Sequence, residues 1–372
     1  MGAPTRKVRR SFLSALGRCA TLLAIAAVLL AGCSSSGSAN SESMSTTGGA
    51  PPASPGHTPG DSSGAPTNWI DYKPLDPSSQ FVGAVTCSGT SFCIALDGDG
   101  NASTYNGSSW SSYVPVDAGD HPDAASCPSS TFCMVVDESG SFLTYSSGAW
   151  SQPVMIDPSG QGGPTSITSV SCPSANMCAA ADSSGGVLIY TNGSWSQPQM
   201  IITTGSNGPS GFSSISCPTA EFCVAAGDVS QPGGTVNEVA SVFANGEWSA
   251  PVIIGTSSYS LTSVSVSCPG VANCVATDSL LREFTYSASG WGSPVQLEKS
   301  NTPYGNGLVV SCASASGCVA LDLLGHTFQF DGRRWSGPHT SLPKDATGEL
   351  YCSQPSFCIA GGGPPDDVFL GT

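Results

Sequence analysis

The spacing of the cysteines constrains this chain more than any other feature. Fourteen of its 16 cysteines fall into seven pairs, and five residues separate the two members of every pair. Successive pairs begin 40 to 51 residues apart. The pairs are Cys87 with Cys93, Cys127 with Cys133, Cys172 with Cys178, Cys217 with Cys223, Cys268 with Cys274, Cys312 with Cys318, and Cys352 with Cys358. Seven units with one internal spacing indicate a repeat protein in which each unit is one small supersecondary structure.

We predict a disulfide bond within each pair. Pairing inside the unit is the one scheme that all seven units can share, and facing residues of an antiparallel hairpin lie at the separation that a disulfide needs. A zinc site is the alternative, but the spacing is not Cys-x2-Cys and the units lack local histidines. Seven identical copies also favour a structural over a redox role. The pairs are therefore interpreted as staples of seven hairpins.

Each unit contains four short β-type runs separated by turn residues, as residues 170–198 illustrate. One run precedes the first Cys, one starts at the second Cys, one surrounds a Tyr or Phe, and one starts at a Trp. No stretch shows sustained helical periodicity. Four strands in 40 to 50 residues are typical of a β-propeller blade, whereas an open β-solenoid, the alternative, has shorter repeats.

The tryptophans predict how the array closes. In five units a Trp follows the second Cys by 17 residues, and in the fourth unit the interval from Cys223 to Trp248 is 25 residues, which indicates an eight-residue insertion. The seventh unit ends before its Trp, and Trp69 precedes the first unit without strands of its own. We therefore predict an all-β, seven-bladed propeller over residues 68–372, with four antiparallel strands per blade. The strand around Trp69 completes the last blade, which hides the open edges of the array.

The first 32 residues are predicted to be a signal peptide. A basic segment precedes the apolar run Cys19–Ala31, which is too short to span a bilayer as a helix. The run ends in Leu30-Ala31-Gly32-Cys33, which resembles the lipobox of bacterial lipoproteins. This resemblance implies that Cys33 carries fatty-acyl chains such as palmitate and anchors the protein to the extracytoplasmic face of the cell membrane. A plain secretory signal is the alternative. Residues 33–67 are rich in Ser, Gly, Pro and Ala, so we interpret them as the lipidated Cys and a disordered linker.

Charge narrows the possible partners. Five of the 11 Lys and Arg residues precede Cys33, so the remainder carries six basic and 26 acidic side chains, a net charge of about −20. Such a surface repels phosphate backbones, so we expect no nucleic-acid partner. We expect the protein to be a monomer without a cofactor, to contact the membrane through its lipid anchor, and to bind an unknown protein or glycan ligand at the envelope.

Variable loops between the uniform blades are the predicted binding face. They connect the second and third strands and join successive blades. Candidate contacts on this face are Phe212, Asp228, Glu238, Tyr259 and Tyr304.

An Asp also recurs after the second strand of six units, where a short carboxylate caps a turn. These residues are Asp97, Asp137, Asp182, Asp228, Asp278 and Asp322. The run around Asp97, Asp99 and Asn101 resembles the start of a calcium-binding loop but lacks its terminal Glu, which leaves it a weak calcium candidate and the chain without a strong metal site.

The repeat unit has a recognisable motif: Ser-Cys-Pro-Ser-x-x-Phe-Cys-x-Val-x-Asp-x-x-Gly, followed by a Tyr and by Gly-x-Trp-Ser. Over residues 81–372 it resembles repeats in secreted proteins of high-GC Gram-positive bacteria, including mycobacterial-type lipoproteins, for which no shared activity is implied. It is faintly similar to the Asp-box of sialidase-like propellers, but Asp182 and Trp195 lie too far apart for that motif.

Three functions remain open. We favour a binding or scaffolding module over a glycan-directed hydrolase or lyase, and over a purely structural envelope protein. No catalytic residue is predicted. The hydrolase hypothesis predicts paired carboxylates or an Asp/His pair at the central funnel, and the structural one predicts only a narrow axial channel.

Overall fold

The computed structural model describes residues 64–73, 75–79, 81–118, 120–157, 165–203, 210–258, 263–298, 307–340, 342, 346–363 and 367–372. The predicted signal peptide and Cys33 lie outside these ranges. The predicted linker is described only from Gly64, and Ala65 already packs against the hydrophobic cluster around Cys352 and Cys358. Within the described ranges, no helix is long and apolar enough to cross a membrane.

The described residues form 32 strands arranged in seven antiparallel sheets, one for each cysteine pair. Blade 1 contains β2 (Val82–Cys87), β3 (Cys93–Asp97), β4 (Asn101–Tyr105) and β5 (Val114–Pro115). Blade 2 contains β6 (Pro122–Ser129), β7 (Phe132–Asp137), β8 (Ser141–Ser146), β9 (Ala149–Trp150) and β10 (Val154–Met155). Blade 3 contains β11 (Ile167–Ser174), β12 (Met177–Asp182), β13 (Gly186–Thr191), β14 (Ser194–Trp195) and β15 (Gln199–Met200).

Blade 4 contains β16 (Ser210–Thr219), β17 (Phe222–Ser230), β18 (Val236–Ala244), β19 (Glu247–Trp248) and β20 (Val252–Ser257). Blade 5 contains β21 (Val264–Gly270), β22 (Asn273–Asp278), β23 (Arg282–Ser287), β24 (Gly290–Trp291) and β25 (Val295–Gln296). Blade 6 contains β26 (Leu308–Ser314), β27 (Gly317–Asp322), β28 (His326–Phe330) and β29 (Trp335–Thr340). Blade 7 contains β30 (Ala346–Gln354), β31 (Phe357–Gly362), β32 (Val368–Gly371) and β1 (Trp69–Tyr72). The predicted seven-bladed propeller with four strands per blade is confirmed.

The outer strand of blades 2 to 5 consists of two short segments that pair with the same third strand. In blade 3, Asn192 and Gly193 adopt positive φ angles of 48° and 96° in the turn before the Trp segment, as Asn-Gly hairpin turns require. The Trp then lies opposite an aromatic residue of the third strand: Tyr190 pairs with Trp195, and their ring centroids are 5.4 Å apart. The recurring aromatic residues therefore stiffen each outer hairpin.

Trp69 closes the ring as the tryptophan count predicted. β1 pairs antiparallel with β32 over four residues, from Trp69 opposite Gly371 to Tyr72 opposite Val368. The backbone N–H of Thr372 also donates to the carbonyl of Asn68 at 3.0 Å. Because β1 shares one sheet with β30, β31 and β32, blade 7 is completed by residues that precede blade 1 and residues that follow blade 6.

Serine hydroxyls join neighbouring blades around the axis. In blades 2 to 6, the Ser before the first Cys accepts the backbone N–H of the first Cys in the next blade, at 2.8 to 3.0 Å. We call these residues the serine ring: Ser126, Ser171, Ser216, Ser267 and Ser311. Each hydroxyl satisfies a donor on the inner edge of the adjacent sheet, which no strand covers. The Ser-Cys dipeptide is thus both a staple and a link between blades.

The core lies between the blades, and the second strands are at its centre. Every residue from the second Cys to the turn Asp is buried in β3, β7, β12, β22 and β27. In β12, Ala179 and Ala181 pack towards blade 4, whereas Ala180 packs towards blade 2. A strand covered on both faces needs small or β-branched apolar residues, which explains the Ala- and Val-rich sequence after each second Cys.

All seven predicted disulfides are present, and their Cα atoms are 3.9 to 4.1 Å apart. The bonds join Cys87 to Cys93, Cys127 to Cys133, Cys172 to Cys178, Cys217 to Cys223, Cys268 to Cys274, Cys312 to Cys318, and Cys352 to Cys358. Each links the first and second strands of its blade. A bond that closes so short a loop stabilises the fold by about 2 kcal/mol in the chain-entropy account.

The disulfides mark one end of the propeller, here called the disulfide face. The turns between second and third strands and the connections between blades lie at the opposite end, here called the loop face. In blade 3, for example, Cys178 begins the buried run of β12 at the disulfide face, and Asp182 ends it at the loop face. In blade 6, Cys318 and Asp322 occupy the same two positions in β27. The second strand of these blades therefore spans the full height between the two faces.

Candidate functional site

A channel opens on the disulfide face at the propeller axis, with a volume of about 340 Å³. Cysteines and serines from the ends of the first strands line most of it, together with Gly89, Pro128 and Tyr351. The hydroxyls of the serine ring already accept hydrogen bonds from the next blade. In the described part of the chain, no carboxylate or histidine lines this channel. The described residues therefore lack the acid pair or Asp/His pair that a hydrolase would need there.

The recurring aspartates cap the turn between the second and third strands. In blade 3, Asp182 Oδ1 accepts the backbone N–H groups of Ser184 and Gly186 at 2.7 and 2.8 Å. The same pattern holds in blades 1, 2, 5 and 6. In blade 6, His326 Nδ1 also lies 3.0 Å from Asp322 Oδ2. This Asp/His pair belongs to a turn cap on the loop face.

The prediction that Asp228 is one of these turn caps is wrong. The turn Asp follows the second Cys by four residues, and in blade 4 that position is Gly227. Asp228 lies inside β17, where it pairs with Gly211 on one side and with Glu238 on the other. Because successive strand residues point to opposite faces, a shift of one residue turns this carboxylate towards the next blade.

The eight-residue insertion lengthens the sheet of blade 4. β17 and β18 remain paired from Asp228 opposite Glu238 to Ser230 opposite Val236, and the outer β20 follows as far as Ser257. We call residues 228–238 the blade-4 extension. It is a paired hairpin on the loop face, with one side towards blade 3 and the other towards blade 5.

The side towards blade 3 forms a pocket of about 240 Å³ with both apolar and polar walls. Ile201, Ile202 and Thr203 line it from blade 3, and the remaining walls come from blade 4. Those blade 4 residues are Val229, Gln231, Asn237, Val239, Pro251 and Ile253. The side chain of Ile253 at its rim is 62% exposed. We call this cavity the blade 3/4 pocket.

The side towards blade 5 carries buried charges. Arg282 Nη2 lies 2.7 Å from Glu238 Oε1 and 2.5 Å from Asp278 Oδ2, and its Nε donates to the same Asp278 oxygen at 2.6 Å. One guanidinium thus serves two carboxylates, and Glu238 Oε2 is left buried without a hydrogen bond. The chain accommodates this oxygen with Gly255, at which a Cβ atom would lie 2.2 Å from it.

Burial dominates the titration of the acids on this side. Loss of solvation raises the pKa of Glu238 to about 7, although the charge of Arg282 opposes the shift. Burial alone raises the pKa of Asp228 to about 7. Protonation of these two acids below about pH 7 lowers the number of buried negative charges between blades 4 and 5. We interpret the contacts of Arg282 with Glu238 and Asp278 as a structural link that holds blade 5 against blade 4.

The five residues predicted to contact a ligand differ in their burial and position. Phe212 is 2% exposed and packs in the core between blades 3 and 4, so its prediction as a surface contact is wrong. Glu238 is fully buried and bound to Arg282, so it is also not a surface contact. Asp228 is half-buried at the base of the extension. Tyr259 and Tyr304 lie outside the described residues. The structure brings Asp228 and Glu238 together but separates both from the pocket.

The blade 3/4 pocket was missed because its walls come from two repeats. Ile201 and Ile202 follow the outer strand of blade 3, and Ile253 belongs to the outer strand of blade 4. In the sequence each is one of several apolar residues after a Trp. The run Pro251-Val252-Ile253-Ile254 has a counterpart of equal length in Pro153-Val154-Met155-Ile156 of blade 2, so no signal in the sequence singles out this pocket.

No protein-family model matches this chain, and no curated protein sequence matches it. Solved propeller structures are similar in fold. The structure of U3-55K is 10% identical over 83% of this chain and 100% of that chain, with a TM-score of 0.64. A structure of the RRP9 WD40 repeats is 11% identical over 82% and 98%, also at 0.64. YCF48 bound to D1 peptide is 13% identical over 84% and 99%, at 0.57. At such identities the similarity shows a β-propeller of the same general class, a fold that can serve as a binding scaffold.

Proposed function

We propose that this protein is a lipid-anchored, extracytoplasmic binding module that holds an extended segment of a protein partner beside blade 4. The proposal rests on one observation: the open edge of strand β20 lies beside the blade 3/4 pocket. β20 has six residues, whereas the corresponding segments β10, β15 and β25 have two each.

The outer edge of β20 suits strand addition. β20 pairs with β18 on one side, and no described strand covers its other side. An extended peptide can form main-chain hydrogen bonds along such an edge while alternate side chains enter adjacent pockets. The long outer strand of blade 6, β29, is different because Pro338 lies within it. Proline has no backbone N–H to donate and hinders strand pairing at a sheet edge. Blade 4 therefore has the better docking strand.

The pocket beside this edge suits an apolar side chain of a larger partner. Its volume is below the roughly 300–1,000 Å³ of typical small-molecule sites. Apolar side chains share its walls with Thr203, Gln231 and Asn237, whose polar groups can bind the main chain of a peptide. A similar propeller, YCF48, has been described bound to a peptide. That precedent supports a peptide ligand here over a glycan.

Export and anchoring place the site at the cell envelope in this proposal. The basic segment, the short apolar run and the Leu-Ala-Gly-Cys sequence ending at Cys33 support it. Seven disulfides also suit an oxidising compartment outside the cytoplasm.

The test compares two substitutions at residues of similar exposure. Ile253→Asp changes the rim of the pocket, and Val271→Asp changes a residue that is 58% exposed between Cys268 and Cys274 on the disulfide face. Surface changes of this kind alter stability by about 0.5 kcal/mol or less, so both variants should fold. Each tagged full-length protein is isolated from native membranes after mild cross-linking, and its partners are quantified by mass spectrometry. We expect a partner that is lost with Ile253→Asp and retained with Val271→Asp. Equal partner profiles for the three proteins would refute the proposal.

A further inference from the structure

The turn aspartates differ in what their second oxygen contacts. In blades 1, 5 and 6 the residue four positions later supplies a side-chain nitrogen near Oδ2: Asn101 Nδ2 at 3.0 Å, Arg282 Nε at 2.6 Å and His326 Nδ1 at 3.0 Å. In blade 2 that residue is Ser141, which donates its backbone N–H to Asp137 Oδ1 at 2.8 Å. Asp137 is fully buried, and its Oδ2 accepts no hydrogen bond. Blade 2 therefore lacks the side-chain nitrogen that blades 1, 5 and 6 place near Oδ2 of the turn Asp.

Two more carboxylates lie close to the carboxylate of Asp137. Asp117 and Asp120 lie in the connection from blade 1 to blade 2, where the N–H of Asp120 donates to the carbonyl of Asp117 at 3.3 Å. One carboxylate oxygen from each of Asp117, Asp120 and Asp137 lies within 4.8 Å of the other two. Asp117 is only 2% exposed, and its Oδ2 also accepts no hydrogen bond.

No protein cation neutralises this cluster in the described part of the chain, where the ion pairs involve other acids. Unpaired buried carboxylate oxygens are costly because they lose hydration without a replacement. A proton shared by two carboxylates would neutralise one charge and leave the third acid unpaired.

We propose that Asp117, Asp120 and Asp137 bind a divalent cation that prefers oxygen ligands, with Ca²⁺ as the fitting ion. The donor set is made only of carboxylate oxygens, which hard cations prefer, and Ca²⁺ tolerates the irregular geometry of a turn. Asp137 is already oriented because Oδ1 is held by the backbone of its own turn, so Oδ2 is presented to the ion. The ion would join blade 1 to blade 2 at the loop face.

This site is distinct from the weak calcium candidate in the sequence. There, Asp97 Oδ1 accepts the N–H groups of Asp99 and Asn101 at 3.0 and 2.9 Å, and Oδ2 accepts from Asn101 Nδ2. Both oxygens of Asp97 are therefore occupied. Asp99 is exposed in the turn of blade 1, which makes Asp99→Asn a matched control for a change at Asp120.

The experiment is calorimetric titration of the full-length, oxidised protein with CaCl₂ after treatment with a chelator. We expect one Ca²⁺ to bind with a Kd on the order of 10⁻⁴ to 10⁻³ M, as in other extracellular modules. Asp120→Asn should weaken binding by about tenfold or more because it removes one of three charged ligands, and Asp99→Asn should leave the Kd within about twofold.

Thermal unfolding separates loss of binding from loss of folding, because Asp120 is only half-buried. Ca²⁺ should raise the Tm of the wild type and of Asp99→Asn but not that of Asp120→Asn, whose Tm without Ca²⁺ should match the wild type. Three results would overturn the site: no binding by the wild type, unchanged binding by Asp120→Asn, or loss of binding in Asp99→Asn.

Discussion

Burial of the Glu238 carboxylate predicts how the free energy of unfolding depends on pH. Its pKa is raised from 4.5 to about 7, chiefly by burial, with Arg282 opposing the shift. At pH values below 4.5 the acid is protonated in both the folded and the unfolded protein. As pH rises, the unfolded chain ionises first, so the folded state loses relative stability until the pH passes about 7. A shift of about 2.5 pH units corresponds to about 3 kcal/mol, an upper figure for a fully buried group.

Glu238→Gln isolates this effect because an amide of the same shape does not ionise. We expect the free energy of unfolding of the wild type, minus that of Glu238→Gln, to fall by about 3 kcal/mol between pH 4.5 and pH 8. The assay is urea unfolding of the oxidised proteins at several pH values, followed by tryptophan fluorescence. The control is Glu221→Gln, which changes an exposed acid in the same blade and should alter the free energy of unfolding by about 0.5 kcal/mol or less.

The opposite outcome has a definite meaning. A difference that stays constant or grows with pH would show that Glu238 folds as an anion held by Arg282. It would contradict the dominance of burial over the 2.7 Å ion pair. Burial dominates because Arg282 is shared with Asp278 and because Glu238 Oε2 has no hydrogen-bond partner.

Three further predictions concern the scaffold and its anchor. Trp69→Ala should lower the free energy of unfolding by about 3 kcal/mol or more, because Trp69 packs against two hydrophobic clusters at the ring closure, and an unchanged urea midpoint would argue against closure by β1. Replacing Cys127 and Cys133 together by Ser should cost about 2 kcal/mol in the same assay without abolishing folding, whereas global unfolding would show that single staples are indispensable. Cys33→Ala should move the protein from the membrane to the soluble fraction on centrifugation, and retention in the membrane would refute lipid anchoring.

Much of the architecture could be predicted from the sequence because it depends on spacing. The cysteine interval defined the hairpins, and the Trp interval located the outer strands. The leftover Trp69 predicted the closure seen opposite Gly371. Because these spacings recur in several units, an irregular unit can be interpreted by comparison with the others.

The site could not be predicted in the same way because it departs from the repeat. The insertion near Asp228 was interpreted as a variable loop, but its residues extend the β17–β18 ladder. Alternation along a strand then decides that Val229 faces the pocket and Asp228 the opposite side, a distinction that depends on register. Phe212 was assigned to a surface loop, yet it is buried in β16 between two blades. Contacts between repeats, including the serine ring, need the ring geometry to be known.

The proposed function requires the partner to bind beside blade 4 and not at the axial channel. Its most direct test is a photo-cross-linking amino acid placed, one position at a time, at Ile253, at Val271 and at Gly89 in the channel mouth. The proteins are expressed in the native host cell, irradiated, and analysed by mass spectrometry. We predict a discrete protein adduct from position 253 and none from positions 271 and 89. An adduct from position 89 or 271 without one from 253 would contradict the account.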